Sequence, residues 1–162
     1  MTQTVIKLIG GAVTVIAAVM WGQGKIRAER KKTDELAALC RLVGYIGDNI
    51  EHFSRPLPEI YADFDDEILR REGFIEALKK DGMKTALGKG LLTVDGEAIE
   101  EMERFADRIG GDYREEQTEL CEYTRSHLTG YVEERKKNSH DKEKLYRTCP
   151  VLLALSAVLM FI

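Results

Sequence analysis

The stretch Thr33-Asp-Glu-Leu-Ala-Ala-Leu-Cys-Arg-Leu-Val-Gly-Tyr-Ile-Gly-Asp-Asn-Ile-Glu-His-Phe53 determines the fold class. Its apolar residues recur every three or four positions, which places them in one stripe along an α-helix. Gly44 and Gly47 lower the helix propensity, but they allow a neighbouring helix to approach closely. The stripe consists of Leu36, Leu39, Cys40, Val43, Ile46, Ile50 and Phe53.

The region that follows contains turn signals and further short helices. Pro56 and Pro58 end the first helix, because proline cannot occupy a helix interior without loss of a hydrogen bond. A short helix is expected over residues 57–64. Another is expected over residues 71–81, with Gly82 as its C-terminal cap.

Two more helices complete the pattern. Thr93 is a candidate N-terminal cap for the first of them, and Gly110-Gly111 ends it. The second is expected to run from Asp112 through a basic segment into the apolar end of the sequence. Because no segment has the pattern of a strand, the sequence predicts an all-α fold, a compact bundle of about five to six helices. The inward stripe before Gly110 consists of Ile99, Met102, Phe105, Ala106 and Ile109.

Both ends of the sequence are apolar, whereas the charges fill the middle. Between Val5 and Trp21 the only charged residue is Lys7, and these residues would span about 25 Å as a helix. That length is just enough for a thin bilayer, so we expect a transmembrane helix over residues 1–24. A cleavable signal peptide and a buried core helix are the alternatives.

The C-terminal run from Cys149 to Ile162 carries no charge. As a helix it covers only about 21 Å, so the alternative is that it packs into the bundle core. We expect a membrane helix over residues 145–162 and a helical bundle over residues 25–144 between the two apolar ends.

Basic residues flank both apolar ends on the side of the middle region. Lys25 and Arg27 follow the first, while Lys144 and Arg147 precede or enter the second. The positive-inside rule then places the bundle in the cytoplasm. The predicted membrane junction consists of Lys25, Arg27, Lys144, Tyr146, Arg147 and Pro150.

The middle region is acidic between Asp95 and Glu122, where eleven acidic residues face three basic ones. Such a surface could dock a basic partner, or it could be a solvated face without a partner. The candidate partner interface consists of Glu100, Glu101, Glu103 and Asp107.

No motif for chemistry is apparent. The net charge of −4 does not suggest nucleic-acid binding. Three cysteines without close pairing are typical of a reducing compartment. The histidines lack zinc-ligand spacing, and no phosphate loop, dinucleotide fingerprint or catalytic motif occurs. We therefore expect no catalytic residue, metal, cofactor or small-molecule substrate. A membrane-anchored thiol enzyme or sensor that uses Cys121 is the alternative.

Several short motifs, in this order and spacing, resemble the stage III sporulation protein AB family of endospore-forming bacteria. They are the ending Lys144-Leu-Tyr-Arg147 with Pro150-Val-Leu152, the opening Leu8-Ile-Gly10, the segment Pro56-Leu-Pro-Glu59, and Gly111-Asp112 followed by Arg114-Glu-Glu-Gln117. The resemblance covers essentially the whole chain. The sequence departs from it between Gly82 and Gly96, which is richer in glycine.

This resemblance implies a non-enzymatic membrane subunit of the secretion-like channel between mother cell and forespore. Its soluble domain would be similar to the cytoplasmic domain of type II secretion F proteins. The implied partners are a cytoplasmic secretion-type ATPase, stage III sporulation protein AA, and the other membrane subunits of the channel. The implied location is the mother-cell membrane, which is the outer forespore membrane, with the bundle in the cytoplasm.

Overall fold

The computed structural model of the chain describes residues 2–111 and 113–161, which form six α-helices and no strand. The prediction of an all-α bundle is confirmed. The helices are α1 (Thr2–Phe53), α2 (Leu57–Asp63), α3 (Glu67–Arg71), α4 (Phe74–Gly88), α5 (Gly96–Arg108) and α6 (Arg114–Phe161).

The chain divides into two compact units. The bundle unit extends from Lys31 to Arg135 and contains the C-terminal part of α1, the four short helices and the N-terminal part of α6. The terminal unit contains the residues up to Arg30 and those from Lys136 onward.

The apolar stripe of α1 is the centre of the bundle core, as its periodicity predicted, except at its end, where Phe53 is exposed because the helix stops there. Leu36, Leu39 and Ile46 are almost completely buried. A Cβ atom added to Gly47 would lie 3.0 Å from the Cβ atom of Cys121 on α6. The predicted close approach of a neighbouring helix at this glycine is therefore confirmed.

The turn after α1 leads into two short helices. Pro56 is the N-cap residue of α2, which ends at Asp63, one residue before the predicted end. Asp66 is the N-cap residue of α3, and its Oδ1 atom accepts hydrogen bonds from the backbone N–H groups of Ile68 and Leu69. These contacts satisfy two of the N–H groups that a helix start leaves unpaired.

The predicted helix over residues 71–81 was wrong at its start, whereas the predicted break at Gly82 is confirmed. Arg71 belongs to α3, because Gly73 has a φ of 75° and separates α3 from α4. Gly82 leaves helical geometry, with a φ of 79°, but the chain resumes a helix after it and continues to Gly88. Glycine adopts positive φ values at little steric cost. The helix α4 therefore consists of two helical segments joined by a kink at Gly82.

The last two helices cover the other side of the core. Met102 and Phe105 of α5 and Leu128 of α6 are almost completely buried. The prediction of one helix that runs through the basic segment into the apolar end is confirmed from Arg114, while its predicted start, Asp112, lies outside the described residues.

Among the residues that the structure describes, no helix has an apolar stretch long enough to cross a membrane. Most side chains of the two apolar ends lie outside the described residues. The three-part organisation with membrane helices over residues 1–24 and 145–162 stays a prediction.

Candidate partner interface

The helix α5 carries the predicted acidic interface, and its strong amphipathicity fixes which side chains face outward. Ala98, Met102 and Phe105 recur at helical spacing and pack into the core. The helix begins after Asp95, whose backbone carbonyl accepts from the N–H groups of Ala98 and Ile99. The exposed acidic residues lie on the opposite face of the helix.

The structure places the four predicted interface residues in different environments. Glu100 and Glu103 are exposed. Asp107 is also exposed, but Lys84 Nζ of α4 lies 2.5 Å from its Oδ1 atom. This hydrogen bond raises the pKa of Lys84. Glu101 is buried, and an oxygen of its carboxylate lies 3.5 Å from Arg104 Nη1.

The available negative charge of this face therefore lies mainly on Glu100 and Glu103. Arg104 Nη2 lies 3.9 Å from the carboxylate of Glu100, which is a weak pairing between exposed groups. Both carboxylates stay accessible to a basic partner. We call Glu100, Glu103 and Asp107 the acidic face.

A buried carboxylate on α1, which the sequence did not reveal, holds the segment before α5 in place. The Oε2 atom of Glu35 accepts hydrogen bonds from the backbone N–H group of Thr93 at 2.6 Å and from its hydroxyl at 3.0 Å. The Glu35 side chain has no solvent exposure. Thr93 was predicted to cap α5, but Asp95 occupies the cap position and the Thr93 hydroxyl is bound to Glu35.

Further ion pairs surround this contact. Lys31 Nζ lies 3.6 Å from the Oε1 atom of Glu35 and 2.7 Å from the Oε2 atom of Glu72. Lys32 of α1 and Arg135 of α6 both pair with Asp95. The start of the acidic helix is thus tied to both long helices of the bundle.

The structure describes the side chains of only three of the six residues in the predicted membrane junction. Lys25 and Arg27 on α1 and Lys144 on α6 are exposed. Lys25 Nζ lies 5.9 Å from the centre of the Trp21 ring, within the range of a cation–π contact. The side chains of Tyr146, Arg147 and Pro150 lie outside the described residues, and the role of all six residues stays a prediction.

The thiol of Cys121 lies in the contact between α1 and α6 and is 2% exposed. Burial raises its pKa to about 12, and the charge of Asp48 acts in the same direction. A reactive cysteine needs a lowered pKa and access to solvent. The environment of Cys121 is therefore that of a core residue and argues against a nucleophile. In the part of the chain that is described, no group of histidine, cysteine and acidic residues is arranged to hold a metal ion.

The raised pKa of Cys121 predicts a loss of stability in alkali. The ordinary thiol pKa is 9.0, so the unfolded chain loses this proton at a lower pH than the native protein does. Stability that is present below pH 9 is lost as the pH rises toward 12, by about 1.4 kcal/mol for each pH unit. The difference in unfolding free energy between the wild type and Cys121→Ala should shrink by about 2 kcal/mol between about pH 8 and about pH 10.5.

Urea unfolding of both proteins at the two pH values measures this difference. Burial raises the pKa of Tyr61 to about 12 as well, and the charge of Cys121 adds to this rise. Tyr61 is present in both proteins, and the native Cys121 thiol is uncharged at about pH 10.5, so the Tyr61 contribution nearly cancels. A difference that does not change with pH would contradict the assignment of a buried thiol.

Comparison with known protein families gives one further observation. The family model of Stage III sporulation protein AB matches residues 7–162, almost the entire sequence. Searches of curated proteins and of solved structures found no match. The match includes every helix of the bundle unit and the acidic face. The chain therefore belongs to the stage III sporulation protein AB family and has a sporulation-related role.

Proposed function

We propose that this chain is a non-enzymatic platform subunit of a secretion-like channel between mother cell and forespore. In this role it couples a cytoplasmic secretion-type ATPase, stage III sporulation protein AA, to the membrane subunits of the channel. The observation that carries the proposal is the family match over residues 7–162. The energy of nucleotide hydrolysis belongs to the ATPase, and this chain contributes binding surfaces.

The charges beside the apolar ends support the location that we propose. Lys25, Arg27 and Lys144 are exposed and lie next to apolar segments, where basic side chains favour the cytoplasmic side of a membrane. We place the chain in the mother-cell membrane, the outer forespore membrane, with the bundle unit in the cytoplasm.

The acidic face is the proposed docking surface for the ATPase. Its carboxylates are exposed on a helix whose other side is buried in the core. Complementary charges raise the association rate and fix the orientation of partners. Glu101 is excluded from this surface, because it is buried and paired with Arg104.

The double substitution Glu100→Lys with Glu103→Lys should weaken binding of the purified full-length chain to the ATPase by at least about tenfold. Both positions are exposed, so the fold should be retained. The affinity is measured by surface plasmon resonance with immobilised ATPase.

The matched control is Glu133→Lys with Glu134→Lys, which makes the same change in net charge at two exposed positions of α6. This control should bind within about twofold of the wild type. Equal losses in both double variants would exclude the acidic face as the docking surface. A wild-type chain that does not bind the ATPase would overturn the coupling role.

A further inference from the structure

An open groove lies between α1 and α6 on a different part of the bundle unit. Its volume is about 430 Å³, and α1 contributes Arg41, Tyr45 and Asp48 to its lining while α6 contributes Arg125 and Thr129. The groove therefore combines cationic, hydroxyl and aromatic groups, as ligand sites often do.

The two arginines of the groove differ in their electrostatic state. Arg41 is neutralised by Asp66, whose Oδ2 atom lies 2.7 Å from Arg41 Nη2 and 2.9 Å from Nε. Arg125 has no such partner, since no carboxylate among the described residues forms an ion pair with it. The groove thus contains one guanidinium whose positive charge is not compensated by a bound carboxylate.

The position of Arg125 follows from the backbone of α1. A Cβ atom at Gly44 would lie 3.4 Å from both Cζ and Nε of Arg125, so the guanidinium lies directly against this glycine. The absence of a side chain at Gly44 leaves room for it. Packing against α1 reduces the entropy that the arginine would lose on binding a ligand.

An aromatic pair provides the apolar part of the groove. The rings of Tyr45 and Phe64 are tilted against each other, with their centres 5.3 Å apart. Both residues line the groove. An apolar side chain can pack on this pair while a carboxylate one residue away reaches Arg125.

Asp48 restricts the charge of a ligand that fits the groove. It lines the same groove, is exposed, and lies one helical turn from Gly44. Its charge repels a second carboxylate, so a strongly acidic run fits less well than a single acid next to an apolar residue. Among the charged groups on all walls, Arg125 attracts a carboxylate, Asp48 repels it, and the Arg41–Asp66 pair is close to neutral.

We propose that this groove is a docking site for a partner-protein segment that presents one carboxylate beside an apolar side chain. Arg125 binds the carboxylate, and the Tyr45–Phe64 pair receives the apolar group. The site is separate from the acidic face, and its charge preference is the opposite. It therefore does not depend on the proposed binding of the ATPase.

The test uses the dipeptide N-acetyl-Phe-Glu-amide as the probe and the full-length chain labelled with ¹⁵N. Titration to millimolar concentration should shift the side-chain Nε–H signal of Arg125 and the backbone signals of Gly44 and Tyr45 along a saturable curve. The control peptide N-acetyl-Phe-Gln-amide should bind at least about fivefold more weakly, because it lacks the charge that strengthens the hydrogen bond.

Three variants make the result specific. Arg125→Gln should lower the affinity for the Phe-Glu peptide at least about fivefold, whereas Arg108→Gln, at another exposed arginine, should leave it unchanged. Asp48→Asn should raise the affinity about twofold, since a repulsive charge is removed. Urea unfolding confirms that each variant is folded.

The proposal is overturned by equal binding of the two peptides, by unchanged binding in Arg125→Gln, or by shifts that do not saturate. Weaker binding in Asp48→Asn would also count against it, because it would mean that the ligand approaches Asp48 with a positive group.

Discussion

Gly47→Leu is expected to lower the free energy of unfolding of the bundle unit by about 3 kcal/mol. Gly47 is buried, and a single added carbon would already lie 3.0 Å from Cys121 Cβ, which is tighter than nine in ten such contacts in proteins. A leucine adds three more carbons beyond it, so α1 and α6 must move apart. The gain in helix propensity offsets only about 0.8 kcal/mol of this cost.

The matched control is Gly130→Leu, the same substitution in the other helix of the contact. Gly130 is exposed, and nothing lies within 4 Å of a Cβ atom placed there. This variant should be as stable as the wild type or more stable by up to about 1 kcal/mol, because only the helix propensity changes. Both are measured by urea unfolding followed by circular dichroism, and similar effects in the two variants would refute the role assigned to the close contact.

Glu35→Ala is expected to cost about 3 kcal/mol of unfolding free energy. The substitution removes an ionised acceptor of two hydrogen bonds from the interior, and bonds to charged groups contribute about 1.5–3 kcal/mol each. Lys31 is not left without a partner by this change, since it keeps its contact with Glu72. The cost therefore comes from the lost bonds to Thr93 and from the cavity.

Thr93→Val is the matched control for this prediction. It removes the hydroxyl donor but keeps the backbone N–H group that Glu35 also binds, so it should cost only about 1 kcal/mol. Amide hydrogen exchange at Thr93 should accelerate in Glu35→Ala and change little in Thr93→Val. Unaltered stability of Glu35→Ala would show that the buried carboxylate does not hold the segment before α5.

The sequence predicted the features that depend on local periodicity. The stripe of α1, the break at Pro56 and the unbroken run of α6 all follow from residues close to one another in the chain. The burial of Glu101 could also have been predicted from the sequence, because Ala98, Met102 and Phe105 place position 101 on the inward side of α5. Glu101 was instead assigned to the interface because it is acidic.

The contacts that join distant segments could not be predicted in the same way. Glu35 and Thr93 are 58 positions apart, and Arg41 and Asp66 are 25 apart. No periodicity connects such residues, so only the packing of the helices brings them together. The groove beside Arg125 was missed for the same reason, since its walls come from α1 and α6 and their contact depends on Gly44 and Gly47.

The two oxygens of Asp66 have different partners, which gives this residue a place in a thermodynamic cycle. Oδ1 caps α3 and Oδ2 binds Arg41 in the groove. A ligand that draws Arg41 away from Asp66 would change the stability of the start of α3. By thermodynamic linkage, a change in the start of α3 would alter the binding free energy of that ligand by the same amount. A second protein that contacts α3 would in this way alter occupancy of the groove by a ligand that displaces Arg41, and the effect would be reciprocal.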